Sequence, residues 1–380
     1  MSPDDLRHLR RALRLAARGR YGAAPNPMVG AVVVRGGEVV GEGFHARAGE
    51  AHAETVALAA AGEAARGATV YVSLEPCAHH GRTPPCADGL LAAGVARVVA
   101  IHRDPDPRVA GGGFARLAAA GVEVVVAAAG APELAAAAVR LNLRYLVPAV
   151  LGRPLVTLKW AMSLDGRIAT AAGESQWITA PPARRWALGL RERHDAIVVG
   201  SGTALADDPR LDRRLGRAAG PILRVVVDRR LRLPPGARML AVDGPVLVYT
   251  AAGDAVRHGE RRAALEAAGA EVVPLETPEP AAVLADLHRR GVRSVLVEGG
   301  AELAAAWVAA GLYDRVHAAV APLLVGGRGA PGALGGDGGA PLDALPRLDD
   351  LRVRRRGSDV VLTALRRGCL PELLSSVGAS

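Results

Sequence analysis

The chain contains two successive series of alternating strand and helix patterns. Extended apolar runs on both sides of Gly36-Gly37 predict a β-hairpin, and alternating helical and extended segments follow to about residue 127. A second alternation begins at Leu155. Alternation of this kind predicts layered α/β domains in both halves of the chain. The tail after Leu365 has no pattern that predicts an element.

The first half is predicted to open with a helix that ends near Arg18. Ser2 can cap this helix, Pro3 suits its first position, and two acids follow in its first turn. The other predicted helices cover residues 52–65, 87–93, 114–120 and 132–144, and the predicted strands cover residues 31–34, 39–43, 69–74, 95–101 and 122–127. We expect the boundary between the halves at 132–154.

The second half is predicted to hold seven strands and four helices. The strands cover 155–160, 196–199, 223–227, 246–249, 271–274, 294–298 and 315–320, and the helices cover 183–192, 259–268, 280–290 and 301–310. A length of 380 residues, half of them apolar, suits about two domains. We therefore expect one domain over 1–147, a second over 152–365 and a tail over 366–380.

The charge of the chain is basic but spread out. The formal net charge is +9, yet residues 1–147 carry 16 arginines against 13 acids. The chain has only 11 Phe, Trp and Tyr residues, which supplies few stacking surfaces for single-stranded nucleic acid. No membrane span or targeting segment is predicted. Three cysteines cannot form a disulfide framework, so a reducing compartment, the cytoplasm, is expected.

A candidate zinc site lies in the first half. His52 stands at a predicted helix start, Cys77 follows a predicted strand, and Cys86 comes nine positions later. One imidazole and two thiolates leave a fourth tetrahedral position for water, as in catalytic zinc sites. Glu54, at the same helix start, can carry a proton without binding the metal. The alternatives are a structural zinc site, two unrelated buried cysteines, or ligation by His79 or His80.

These motifs resemble a known family. The segments 26–30 (Asn-Pro-Met-Val-Gly), 52–54 (His-Ala-Glu) and 75–86, with a long loop between the cysteines, are similar to the bifunctional deaminase and reductase of riboflavin biosynthesis. The resemblance implies an α/β fold, with a cytidine-deaminase-like three-layer first domain and a dihydrofolate-reductase-like second domain. It implies hydrolytic deamination of 2,5-diamino-6-(ribosylamino)pyrimidin-4-one 5'-phosphate with Zn²⁺, then reduction of the ribosyl group with NADPH.

The resemblance also implies substrate contacts in the first half. Asn26 would read the edge of the base. The ribose phosphate would be held by His45, His79, Arg82 and Asp104. Asp106 departs from the family pattern, in which Asn is usual.

The second half carries the other part of the resemblance. Residues 159–167 and 173–179 match the reductase, and they include Lys159 and Gln176, the single lysine and the single glutamine of the chain. Because the composition has drifted to arginine elsewhere, a surviving lysine indicates a site that needs an ammonium group. Gly200 and Gly202 follow one predicted strand, and Gly299 and Gly300 follow another, in positions where helix starts can bind phosphate. The Gly-x-Gly pattern at 41–43 is interpreted as part of a hairpin strand.

The resemblance implies the roles of the reductase residues. Lys159 would be the proton donor or electrophile. Substrate would be held by Ser175, Arg191, Leu211, Arg214 and Glu298, and NADPH by Ala161, Trp177, Thr203, Asp207, Gly299 and Gly300. Asp212 and Glu302 stand where the family usually has threonine. The expected partner is a small phosphorylated pyrimidine, not nucleic acid or membrane, and the chain is expected to form a homo-oligomer, a dimer or tetramer.

Two other functions compete with this hypothesis. A nucleic-acid base deaminase of the tRNA type, with an RNA-binding second domain, fits the zinc ligands and the basic isoelectric point of about 10.3. A scaffold with structural zinc would need no catalytic groups.

Overall fold

The computed structural model describes residues 1–79, 84–107 and 109–378. The chain divides into two compact units. The first unit consists of residues Met1–Gly152 together with Gly368–Ser380, and the second consists of Arg153–Arg367. The second unit is therefore inserted into the chain of the first.

The first unit contains seven α-helices and five strands among its described residues. The helices are α1 (Pro3–Ala16), α2 (Ala53–Ala61), α3 (Cys86–Ala92), α4 (Gly112–Ala119), α5 (Pro132–Leu141), α6 (Leu143–Leu151) and, at the end of the chain, α13 (Cys369–Ser376). The strands are β1 (Gly30–Arg35), β2 (Glu38–Phe44), β3 (Thr69–Val72), β4 (Arg97–Ala100) and β5 (Glu123–Val126). Short 3-10 helices follow α1 at Ala17–Gly19 and α2 at Gly62–Ala65.

The five strands form one mixed sheet with the order β2-β1-β3-β4-β5. The hairpin pairs β1 with β2 in antiparallel fashion, β3 is antiparallel to β1, and β3, β4 and β5 are parallel. Helices α2, α3 and α4 cover one face through Ala57, Leu90 and Leu117. Helices α1 and α5 cover the other through Leu9 and Leu134. The expected three-layer domain is confirmed.

The second unit holds six helices and nine strands. The helices are α7 (Pro181–Arg191), α8 (Ser201–Asp207), α9 (Ala252–Arg257), α10 (Gly259–Ala267), α11 (Pro280–Arg289) and α12 (Ala301–Ala309). The strands are β6 (Leu155–Ser163), β7 (Ala196–Gly200), β8 (Leu223–Val227), β9 (Val246–Ala251), β10 (Ala270–Leu275), β11 (Ser294–Val297), β12 (Arg315–Ala321), β13 (Leu348–Arg356) and β14 (Asp359–Arg366).

The nine strands form one sheet with the order β10-β9-β8-β7-β11-β6-β12-β14-β13. The first seven in this order are parallel neighbours, and the last two pair antiparallel at one edge. Apolar clusters fill both faces, with Leu190 and Leu265 on one and Leu287 and Trp307 on the other. Parallel strands covered on both faces explain the continuous apolar runs of β7, β8 and β11.

The structure differs from the sequence-based expectation at the boundary, in several short elements and in the tail. The predicted boundary stretch 146–154 is largely helical, because α6 continues to Leu151 with Tyr145, Leu146 and Val147 buried. Helices α8 and α9 and strands β13 and β14 had no prediction. The tail contains α13, which packs against α5 and α6 in the first unit. Short elements and an exposed edge strand carry little of the periodic signal by which sequence predicts structure.

No helix among the described residues is by itself long and apolar enough to span a membrane. Helices α5 and α6 reach that length and hydropathy only together, as a pair bent by 89°.

Candidate active sites

Three predicted metal ligands meet at one edge of the first sheet. The ligand atoms of His52, Cys77 and Cys86 all lie within 4.8 Å of one another. His52 Nδ1 is 3.1 Å from Cys86 Sγ and 3.6 Å from Cys77 Sγ. Ligands around a tetrahedral zinc, at ordinary Zn–N and Zn–S lengths, stand about 3.5 Å apart. The donor set and its spacing therefore fit zinc.

Helix α2 brings His52 to this edge by packing very closely on the hairpin. Gly41 and Gly43 of β2 face α2, and a Cβ at either position would collide with the carbonyl oxygen of Ala57 or Ala53. The Gly-x-Gly pattern at 41–43 thus serves helix packing. His52 lies just before the first residue of α2 and has extended backbone angles, so it stands outside the helical turn.

Helix α3 brings the second thiol to the cluster. Cys86 is its first residue, and the Cys86 amide donates to Cys77 Sγ at 3.3 Å. The sequence predicts this helix over 87–93, and the structure has it begin at Cys86. The thiol of Cys86 and the imidazole of His52 lower the pKa of Cys77 through hydrogen bonds, which favours the thiolate that a metal needs.

Glu54 is buried in the first turn of α2. It is 3% exposed, and burial raises its pKa to about 7. The neighbouring thiol of Cys77 raises this pKa further, whereas His52 opposes the shift. A carboxyl group that gains and loses a proton near neutral pH suits general acid–base catalysis.

A hydrogen-bonded pair lies next to the cluster. Asn26 Nδ2 is 3.1 Å from His45 Nε2, and His45 Nδ1 is 3.1 Å from the carbonyl oxygen of Ala51. The ring of His45 meets the ring of His52 edge to face, with centroids 5.2 Å apart. Burial lowers the pKa of His45, which favours the neutral ring. The structure therefore brings two predicted substrate contacts to the predicted metal.

Asn142 holds the segment that carries Asn26, a role that the sequence analysis missed. The Met28 amide donates to Asn142 Oδ1 at 2.8 Å, and Asn142 Nδ2 donates to the Met28 carbonyl oxygen at 3.0 Å. Asn142 is only 2% exposed. Its signal was its rarity, because the chain has only two asparagines and the other is Asn26.

Glu75 was also missed, although it precedes the Pro-Cys segment. Its buried carboxylate accepts hydrogen bonds from four backbone amides, those of Asp104, Gly111, Gly113 and Phe114. Glu75 thus ties the residues before Cys77 to the loop that follows β4.

Asp104 lies in that loop and is buried. Its carboxylate oxygens accept from the Tyr145 hydroxyl at 2.8 and 3.0 Å, and one also accepts from the Asp106 amide at 2.9 Å. Burial raises the pKa of Asp104 to about 6. Its contact with substrate stays a prediction, as does that of His79, which is exposed. Arg82 and the alternative ligand His80 lie outside the described residues.

The predicted reductase residues surround one cavity in the second unit. The cavity measures about 1400 Å³ and lies at the carboxyl ends of β6, β7 and β11. Its lining includes all twelve of these residues: Lys159, Ala161, Ser175, Trp177, Arg191, Thr203, Asp207, Leu211, Arg214, Glu298, Gly299 and Gly300.

A largely buried ion pair lies in the wall of this cavity. Arg191 Nη2 is 2.9 Å from Glu298 Oε2, and the two side chains are 13% and 8% exposed. Burial opposes the ionisation of Glu298, but the charges of Arg191 and Lys159 outweigh it and lower the pKa of Glu298 to about 2. Glu298 is therefore an anion near the single lysine.

Two hydrogen bonds organise the glycine-containing loops. The Gly300 amide donates to Thr203 Oγ1 at 3.0 Å, which joins the starts of α12 and α8. Ser175 Oγ donates to Asp207 at 3.2 Å.

The structure shows the surroundings of Asp212 and Glu302, the two acids that stand where the family usually has threonine. Asp212 pairs with Arg214 at 2.6 Å and with Arg210 at 2.9 Å, so the predicted substrate contact Arg214 already has an acidic partner. Glu302, in the first turn of α12, is exposed.

The chain matches two family models. Residues 2–102 match the cytidine and deoxycytidylate deaminase zinc-binding region, and residues 154–362 match the RibD C-terminal domain. The riboflavin biosynthesis protein RibD of Bacillus amyloliquefaciens is 42% identical over 365 residues, 94% of this chain and 95% of that protein.

Solved structures agree with these matches. RibD of Acinetobacter baumannii, form 1, is 38% identical with a TM-score of 0.83, over 96% of this chain and 99% of that one. The diaminohydroxyphosphoribosylaminopyrimidine deaminase/5-amino-6-(5-phosphoribosylamino)uracil reductase of Thermotoga maritima is 30% identical with a TM-score of 0.79, over the same shares.

Fold, sites and matches define a two-domain enzyme in which a zinc-binding deaminase domain is joined to a reductase domain. The chain belongs to the RibD family of riboflavin biosynthesis proteins. It is therefore a bifunctional deaminase and reductase, and the family expected from the sequence is confirmed. The tRNA-type deaminase is not favoured, and a scaffold without enzymatic activity is excluded.

We predict that Glu54→Gln keeps zinc but loses deamination. The amide preserves the shape and burial of the side chain but cannot carry a proton. Because general acid–base catalysis contributes about 100-fold or more, deaminase turnover should fall at least that far. Ammonia release and zinc content, measured on the same purified sample, test this. Wild-type turnover in a zinc-loaded variant would contradict the role of Glu54.

The matched control for this experiment is Cys86→Ser. A hydroxyl group is a poor substitute for a thiolate ligand, so this variant should lose the metal together with the activity. Normal zinc content in Cys86→Ser would indicate that another residue, such as His79, is the third ligand.

Proposed function

We propose that this enzyme deaminates 2,5-diamino-6-(ribosylamino)pyrimidin-4-one 5'-phosphate and then reduces the ribosyl group of the product to ribityl with NADPH. The substrate class follows from family membership and from the name of the Thermotoga maritima relative. The observation that carries the proposal is the convergence of two independent residue sets. Three metal donors lie beside Asn26 and His45, and twelve predicted reductase residues line one cavity.

In the deaminase domain, His52, Cys77 and Cys86 would hold zinc. When bound, zinc activates water as a nucleophile at neutral pH. Glu54 would take the proton from the nucleophile and deliver it to the departing amine. Its buried position and a pKa of about 7 suit both steps. Asn26 would hydrogen-bond the edge of the pyrimidine, and His45 orients the Asn26 amide through their mutual hydrogen bond.

In the reductase domain, Lys159 would donate a proton to the oxygen that becomes the ribityl hydroxyl. When bound, NADPH supplies the hydride. The Glu298 carboxylate and its partner Arg191 fix the charge of the wall beside this lysine. Arg214 would bind the substrate phosphate. The carboxylate of Asp212, which pairs with Arg214, would compete with the phosphate for this guanidinium group.

The choice of NADPH over NADH is supported by the charge of the cavity. The lining includes four arginines on the loop between β8 and β9, namely Arg229, Arg230, Arg232 and Arg238. Arg232 Nη2 donates to Ser201 Oγ at 2.7 Å, which holds this arginine at the start of α8. A 2'-phosphate is the group that distinguishes NADPH, and arginine is its usual ligand.

The remaining expectations complete the proposal. The partner is a small phosphorylated pyrimidine and not nucleic acid, and the active form is a homo-oligomer. The cytoplasm is the proposed location, because thiolate ligands and cysteines that form no disulfide suit a reducing compartment.

We predict that Lys159→Arg loses reduction but keeps deamination. The guanidinium keeps the positive charge but is planar, bulkier and hardly acidic, so it cannot donate a proton from the same point. Loss of one such preorganised donor costs about 100-fold or more in turnover. NADPH oxidation measures the effect, and ammonia release by the same sample is the internal control. Reductase turnover within about tenfold of wild type would remove Lys159 from the proposed role.

We also predict that a fragment of residues 153–367 binds NADPH without the first unit. This range forms a compact unit with two apolar clusters of its own. Thermal unfolding with NADPH and with NADH tests the prediction, and the expected result is a larger stabilisation by NADPH. A folded fragment that NADPH does not stabilise would contradict the cofactor assignment.

A further inference from the structure

The last described residues of the chain belong to the deaminase unit, not to the reductase unit that precedes them. Cys369 and Leu373 of α13, and Val377 after it, are fully buried. Leu374 packs on the apolar cluster that α1 and α5 form with the first sheet. The family match to the reductase ends at residue 362, so this helix lies outside the matched reductase domain.

Helix α13 packs on the two helices that support the deaminase site. Its neighbours are α5 and α6. Asn142, between α5 and α6, holds both backbone groups of Met28, two residues from Asn26. Tyr145, on α6, donates its hydroxyl to the Asp104 carboxylate. A shift of α5 and α6 would therefore move both segments.

The end of α13 also contacts the Asp104 loop directly. The Arg103 amide donates to the carbonyl oxygen of Val377 at 3.2 Å. The next amide, that of Asp104, donates to Glu75, two residues before the ligand Cys77. The loop after β4 is thus fixed on one side by the site and on the other by the C-terminal segment.

We propose that α13 is a positioning element of the deaminase, which holds the segments of Asn26 and Asp104 in the geometry that binds substrate. The proposal rests on the proposed function, because it takes Asn26 and Asp104 as substrate contacts. Residues of α13 themselves do not act in the reaction. The deaminase is consequently complete only after the reductase has been synthesised, because the reductase sequence lies between its two parts.

The decisive variant is Leu373→Ala, which removes a fully buried side chain at the centre of α13. We expect the deaminase KM to rise by about tenfold, because small displacements of positioning groups are costly, while kcat stays within about twofold. Zinc content should be unchanged, and so should NADPH oxidation when the deaminated product is supplied as the substrate. Hydrogen exchange of the backbone over 101–107 should be faster, since the Arg103 amide loses a firm acceptor.

Three further variants sharpen the test. Ser375→Ala changes an exposed residue of the same helix and should behave as wild type. Leu373→Met keeps the volume and should restore the KM. Truncation after Arg367 should raise the KM further while zinc stays bound; loss of the fold and of zinc would instead show that α13 is needed for folding and would count against a positioning role.

A zinc-loaded Leu373→Ala variant with wild-type KM and wild-type exchange over 101–107 would overturn the proposal. The exchange measurement needs no substrate. If the wild-type enzyme failed to deaminate the proposed substrate while exchange still responded to Leu373→Ala, the substrate assignment would fail and the structural coupling would stand.

Discussion

The deaminase site depends on two helices that begin at the same edge of one sheet. His52 stands immediately before α2 and Cys86 opens α3, so each ligand lies at a helix start, where the first backbone amides lack partners within their own helix. Cys77, beyond the end of β3, completes the cluster within 4.8 Å. Only a strand with glycine at 41 and 43 lets α2 approach closely enough. Larger residues there would move His52 and Glu54 together.

The reductase cavity depends instead on the arrangement of charge. An arginine and a glutamate that are largely withdrawn from water are costly unless they pair, and Arg191 and Glu298 pair between α7 and the end of β11. Their pairing leaves Lys159 near an anion that stays ionised. Arg229, Arg230, Arg232 and Arg238 add positive charge to the lining of the cavity, where Arg229 pairs with Glu279. The two sites thus use different physics, metal ligation in one unit and arranged charge in the other.

Sequence predicted the elements with strong periodicity and the residues with distinctive chemistry. Both α/β layers, the hairpin and the zinc donors follow from apolar spacing and from rare residue types. The roles of Asn142 and Glu75 did not follow, because their partners are backbone groups far away in the chain. The tail helix α13 was not predicted for the same reason, because its apolar residues pack on α5 and α6, which lie far away in the chain. The family resemblance supplied residues such as Leu211 and Ala161, whose chemistry alone indicates nothing.

The central claim is that one chain carries out two consecutive reactions at separate sites. Purified zinc-loaded enzyme should be given the diaminopyrimidinone ribosylamino phosphate, and ammonia release and NADPH oxidation should be followed together. The account predicts ammonia release without NADPH, and stoichiometric NADPH oxidation once NADPH is added. NADPH oxidation without any release of ammonia, or release of ammonia that never leads to NADPH oxidation, would contradict it.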